Sequence, residues 1–163
     1  MKTLLILRHA KSSWADPGMT DHSRPLNARG KRDAPRIGQL LTERGLQPDC
    51  ILSSTAKRAR STAKRVVEGG GLVCKPKYVD ELYLAPAETY IELLRRQPGE
   101  YQRILVIGHN PGLEELVAAL TGERLALPTA ALVQVEFRLE TWFELPNRGS
   151  ARLVAHWEPR ELD

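Results

Sequence analysis

Thr3-Leu4-Leu5-Ile6-Leu7-Arg8-His9-Ala10-Lys11-Ser12 is the stretch that decides the fold. Its apolar run is short and unbroken, which reads as a strand buried on both faces. Arginine and histidine follow at once. A cation and an imidazole directly after a buried strand mark a ligand-facing loop in an open parallel sheet, where ligands bind beyond the carboxyl ends of strands.

Working outward, the chain alternates helix and strand. Asn27 to Gly45 predicts a helix, with Asn27 as its N-cap, Ile37, Leu40 and Leu41 on one face, and Gly45 as a stop. Asp49–Leu52 reads as a second strand and Thr55–Glu68 as a second helix. Gly69-Gly70-Gly71 ends that helix as a flexible turn; it lacks the context of a phosphate-binding loop. Lys75–Val79 is a weaker strand and Ala87–Arg96 a helix, with Pro86 near its first turn. Arg103–Ile107 is the next strand. Asn110 reads as an N-cap with Pro111 in the first helical position. Ala130–Leu139 and Ala151–Trp157 are expected to form a hairpin at one sheet edge. The expected fold is a three-layer α/β sandwich, with a central mostly parallel, mixed sheet flanked by helices. The 163 residues are expected to form a single domain spanning 1–163.

Composition excludes several classes. The apolar and charged fractions, 42% and 27%, are those of a globular protein. Two cysteines are too few for a disulfide framework, and Cys50 is expected to be buried. The N-terminal apolar run is too short for a signal peptide or membrane span, so the expectation is a cytoplasmic protein that does not engage a membrane. Residues 1–78 carry 16 Lys+Arg against 6 Asp+Glu, a net +10; residues 79–163 carry 8 against 14, a net −6. A basic half fits an anionic ligand. The Lys and Arg residues are not interleaved with aromatics, so nucleic acid is not an expected partner.

Four polar stretches begin where predicted strands end: Arg8–Ser12, Ser53–Arg58, Asp80–Tyr83 and Gly108–Pro111. If the strands are parallel neighbours, these loops converge. Arginine forks match phosphate oxygens. A neutral imidazole is a nucleophile that splits hydrolysis into two easier steps, and a second, protonated one can donate to the transferring oxygens. The arginines should hold the attacking histidine neutral. No HxxxH spacing or acidic cluster accompanies the histidines, so neither a metal nor another cofactor is expected.

Leu7-Arg8-His9-Ala10 with Ser12 and Trp14, Ser54-x-x-x-Arg58-Ala59-x-x-Thr62-Ala63, and Gly108-His109-Asn110-Pro111 together resemble the histidine phosphatase superfamily, the group with phosphoglycerate mutases and the RHG signature. The short length and Arg24-Pro25-Leu26-Asn27-x-Arg29-Gly30 resemble its SixA-type phosphohistidine phosphatase branch. The resemblance implies a phosphoglycerate mutase-like fold, His9 as the phosphorylated nucleophile, and Arg8, Arg58 and His109 as the phosphate pocket. It also implies Glu81 as proton donor and Ser12 as a hydroxyl touching substrate or phosphate. Ala10 stands where the signature has glycine, and Ala15 where asparagine often follows the tryptophan. About twenty residues separate Glu81 from the next strand, and one helix consumes them, which leaves no room for a mutase-like lid.

The implied activity is metal-independent hydrolysis through phosphohistidine, acting on phosphohistidine of a signalling or phosphotransfer protein. The alternatives are a small-molecule phosphomonoesterase or mutase acting on a phosphate ester, and a non-catalytic phosphate- or phosphoprotein-binding module. A monomer is expected. Trp14 is expected to pack the first loop, His22 and His156 to be structural or solvated, and Arg24 either to pair with Asp21 or to meet substrate. Glu81, if not a proton donor, would pair with a pocket arginine.

Overall fold

A computed structural model describes residues 1–162. Six strands, β1 (Lys2–Arg8), β2 (Cys50–Ser54), β3 (Pro76–Val79), β4 (Arg103–Gly108), β5 (Leu132–Phe137) and β6 (Ala151–Trp157), form one sheet in the order β3-β2-β4-β1-β5-β6. β3, β2, β4 and β1 run parallel, while β5 is antiparallel to β1 and β6 to β5. The expected mixed sheet and edge hairpin are therefore present.

The unbroken apolar run of β1 has its explanation in the layers on both faces. Leu5, Leu7, Leu105 and Ile107 pack on one side, against residues of α1 (Ala28–Glu43) and α2 (Lys57–Gly70). Leu4, Ile6, Ile104 and Val106 pack on the other, against α3 (Ala87–Arg95) and α4 (Gly112–Thr121). Asn27 caps α1 as expected, its Oδ1 accepting from the Gly30 N–H at 2.9 Å.

Two local expectations are corrected. Gly69 and Gly70 belong to α2, and Gly71, with φ of 60°, closes it. They are helical because α1 and α2 touch backbone to backbone there: a Cβ on Gly38 would lie 2.0 Å from the Val66 carbonyl, and one on Gly70 would lie 2.4 Å from that of Gly38. The triplet therefore serves close helix packing as well as termination. Asn110 does not cap α4. The Asn110-Pro111 peptide is cis, Pro111 precedes the first helical residue Gly112, and the Asn110 side chain donates to the Leu127 carbonyl at 2.9 Å. Among the described residues no helix is long and apolar enough to cross a membrane.

Candidate active site

The parallel order brings the ends of β1, β4 and β2 together. The last residue of β1, Arg8, is in register with Gly108 at the end of β4, so His9 and His109 leave adjacent strands side by side. Their ring centroids are 5.2 Å apart. The backbone at this point is gripped on both sides: the His9 N–H donates to the Gly108 carbonyl, and the Ala130 N–H donates to the carbonyls of Arg8 and His9, each at 3.1 Å. Ala130 does this with φ of 60°, a left-handed conformation that costs a non-glycine residue roughly 1–2 kcal/mol.

His9 is almost fully buried, with 6% of its surface exposed. Its Nδ1 lies 2.8 Å from the Ala10 carbonyl, an acceptor, so Nδ1 carries the proton. That leaves Nε2 with a free lone pair, the atom a nucleophile needs. Burial lowers the His9 pKa to about 3, with the neighbouring cations adding to the shift, so the ring is neutral at pH 7. Burial, rather than the expected effect of the arginines, is the larger cause.

His109 is also buried, and its Nε2 lies 2.7 Å from the Ser54 Oγ. Arg58 Nη2 approaches its Nδ1 at 3.5 Å, and because arginine only donates, Nδ1 accepts. Burial and Arg58 lower its pKa to about 4. The expected protonated second imidazole is thus corrected: with only the protein's own charges around it, His109 is neutral. A buried cation beside a guanidinium is disfavoured unless an anion joins them.

Arg8 reaches back to the Leu127 carbonyl through Nη1 at 3.0 Å. Arg58 is 2% exposed and its Nη1 and Nη2 donate to the Asp21 carbonyl and carboxylate at 2.7 and 3.0 Å. The Nε–H groups of Arg8 and Arg58 are both buried without a partner. Both arginines line the same pocket as His9 and His109, a cationic setting suited to an anion. Thr62 ties α2 to the first loop, its Oγ1 accepting from the Ala10 N–H at 3.0 Å and donating to the Arg58 carbonyl at 2.7 Å. Ser12 lines the pocket, and its Oγ accepts from Arg24 at 3.0 Å.

Glu81 is not brought to this cluster. It sits on a 3-10 turn (Asp80–Leu82) after β3, exposed, and accepts from Arg96 at 2.7 Å. Arg96 is a surface residue, so the expected pairing of Glu81 with a pocket arginine is corrected. The carboxylate that does meet a pocket arginine is Asp21. It takes hydrogen bonds from Arg58, from the Nε of Arg24 at 3.2 Å and from the Tyr83 hydroxyl. These donors, Tyr83 foremost, hold its pKa down at about 2. Asp21 was visible in the sequence only as a candidate partner of Arg24, which it is.

Tyr83 and His22 join the cluster as an aromatic edge. Tyr83 stands edge-on to His109 at 5.5 Å and to His22 at 4.7 Å, and His22 Nε2 lies 3.0 Å from the Thr55 hydroxyl. His22 is exposed, as a solvated residue would be, and stands beside the site. Trp14 packs one face on Arg24 of the first loop and is otherwise open, 73% exposed. It lines the same pocket of about 230 Å³ as His9, Arg58 and His109. Among the described residues no group of three or more His, Cys, Asp or Glu is placed to hold a metal ion.

The model of the histidine phosphatase superfamily (branch 1) matches residues 4–83. A chloroplastic protein of Arabidopsis thaliana, At3g52155, is 35% identical over 144 residues, which are 82% of this chain and 66% of that protein. The structure of a SixA-type protein from Agrobacterium tumefaciens superposes with a TM-score of 0.82 at 35% identity, covering 97% of this chain and 98% of the other. A protein histidine phosphatase SixA complexed with tungstate has the same fold, with a TM-score of 0.85 over 99% of both chains at 22% identity.

Proposed function

Because the chain belongs to the histidine phosphatase superfamily, in its SixA-type branch, we propose that it removes the phosphoryl group from phosphohistidine on a signalling or phosphotransfer protein, carrying that group transiently on His9. The observation that carries the choice of substrate is the state of the carboxylates. Among the described residues, no Asp or Glu lines the pocket that holds His9. Of the two that bear on its arginines, Asp21 is held ionised and Glu114 accepts from the Leu127 N–H at 2.7 Å. Glu81 lies with Arg96 and takes no part. An oxygen ester expels an alkoxide that needs a proton from an acid. A phosphohistidine ring protonated on its second nitrogen leaves as neutral imidazole and needs none.

In the first step the Nε2 lone pair of His9 attacks phosphorus. The bond to the substrate nitrogen breaks, and its electron pair stays with the departing imidazole. His9 keeps its Nδ1 proton on the Ala10 carbonyl, so the ring does not turn during transfer. In the second step water attacks the phosphorus, the bond to Nε2 breaks, and dihydrogen phosphate leaves with neutral His9 restored. The Arg8 and Arg58 guanidiniums, which line the pocket, bind the equatorial oxygens in both steps. The incoming negative charge favours protonation of His109, which then donates to the same oxygens. Ser12 holds Arg24, and through it Asp21, in place.

The test is chemical. Incubation with a labelled phosphohistidine peptide in EDTA should leave acid-labile, alkali-stable label on the protein, and His9→Ala should abolish label and turnover together, a drop of about 10³-fold or more. Hydrolysis retained without label on His9→Ala overturns the nucleophile. Turnover of phosphate esters in preference to phosphohistidine returns the protein to the small-molecule alternative, and neither label nor turnover leaves a binding module.

A further inference from the structure

Two large apolar side chains stand exposed at the mouth of the phosphoryl pocket, and the mechanism uses neither. Trp14 comes from the loop after β1 and is 73% exposed; Leu84 comes from the loop after β3 and is 56% exposed. Both line the pocket that contains His9.

Neither is loosely held. One face of the Trp14 ring lies on the Arg24 guanidinium, 3.4 Å from centroid to Cζ. Arg24 is itself 7% exposed and pinned by Ser12 Oγ at 3.0 Å and Asp21 Oδ1 at 3.2 Å. The indole is thus mounted on a buried, hydrogen-bonded cation while most of its surface stays open. Leu84 has φ of 51°, the left-handed region that a bulky side chain rarely adopts. Backbone strain of this kind persists where surrounding structure imposes it, and it gathers at ligand sites. Here its neighbour Tyr83 is anchored to Asp21, and the strain leaves the leucine at the rim.

A preorganised aromatic surface costs little conformational entropy when something stacks on it. The group that must sit at this mouth is whatever is bonded to phosphorus opposite His9. We propose that Trp14 and Leu84 form a leaving-group subsite that receives the flat imidazole of the substrate, Trp14 by stacking on its ring and Leu84 by apolar contact. This rests on the phosphohistidine reading and adds to it the residues that select a ring over a bare phosphoramide.

The experiment compares two substrates with the same P–N bond: a phosphohistidine peptide, which has the ring, and phosphoramidate, which does not. Trp14→Ala should lower kcat/KM for the peptide about tenfold, the scale of one aromatic stack, and leave phosphoramidate within about twofold. Trp14→Phe should recover most of the loss, and Leu84→Ala should show the same selectivity with a smaller drop. Vanadate inhibition should be unchanged in all three. Equal losses on both substrates, or loss of vanadate binding in Trp14→Ala, would mean that the indole merely supports Arg24 and would overturn the subsite. So would an unchanged peptide rate. Wild-type protein that turns over neither compound refutes the phosphohistidine reading, and the subsite with it.

Discussion

The loop after β1 and the turn after β3 each follow a parallel strand and each bring a half-exposed carboxylate to the same end of the sheet, yet they deliver them to different partners, one buried and one exposed. Asp21 lies against Arg58, Arg24 and Tyr83, beside the buried histidines. Glu81 pairs with Arg96, itself an exposed side chain. β1 is central in the order β3-β2-β4-β1-β5-β6, flanked by β4 and β5, whereas β3 is the edge strand. A loop leaving a central strand is surrounded by other loops; one leaving an edge strand has solvent on one side. Tyr83, two residues beyond Glu81, does reach the site, because its hydroxyl finds Asp21. Strand-end position nominates a loop, and the partner available to each side chain decides which residue enters.

That contrast can be broken by experiment, beginning with Asp21→Asn. The variant keeps the shape but loses the charge that aims Arg58, and kcat/KM should fall about 10- to 100-fold, with weaker vanadate inhibition. An unaltered rate would mean that Arg58 is held by the Asp21 backbone carbonyl alone. A pH series tests the burial of the imidazoles. The folded pKa of His9 is about 3, below the ordinary imidazole value of 6.5, so the unfolded chain binds the extra proton between those values and stability declines as pH falls through that window. Urea titrations should give wild type a loss about 2 kcal/mol larger than that of His9→Asn between pH 7 and 4.5. Equal losses would place His9 in water.

Tyr83→Phe removes one donor from Asp21. The Asp21 pKa should rise from about 2, and kcat/KM should drop about 3- to 10-fold, the scale of one hydrogen bond to a charged group. The smallest effect belongs to the other region: Glu81→Gln breaks an exposed pair worth about 0–1 kcal/mol and should leave activity within about twofold at every pH. A lost basic or acidic limb in that variant would restore Glu81 as a proton donor.

Much of the architecture was legible because its causes are local. The alternation of Leu4 and Ile6 with Leu5 and Leu7 needs two covered faces, and the sheet supplies them. Asn27 caps its helix through a bond three residues along the chain. The motif residues Arg8, His9, Arg58 and His109 were nominated by their places at strand ends, and they meet. Asn110, by contrast, was misread as a cap, since its true partner, Leu127, lies 17 residues away. Gly69 and Gly70 were misread as a turn because their reason is a second helix pressed against them.

The chain's own pattern settled which segments are strands, which side chains stand at their ends, and that two imidazoles and two guanidiniums belong to the same end of the sheet; periodicity and strand-end placement are encoded within a few residues. Only the tertiary structure decided the protonation of those imidazoles, the choice of Asp21 over Glu81, and the open face of Trp14. Each of these depends on burial and on partners dozens of residues away, and desolvation and Coulomb interactions act through space, not along the chain.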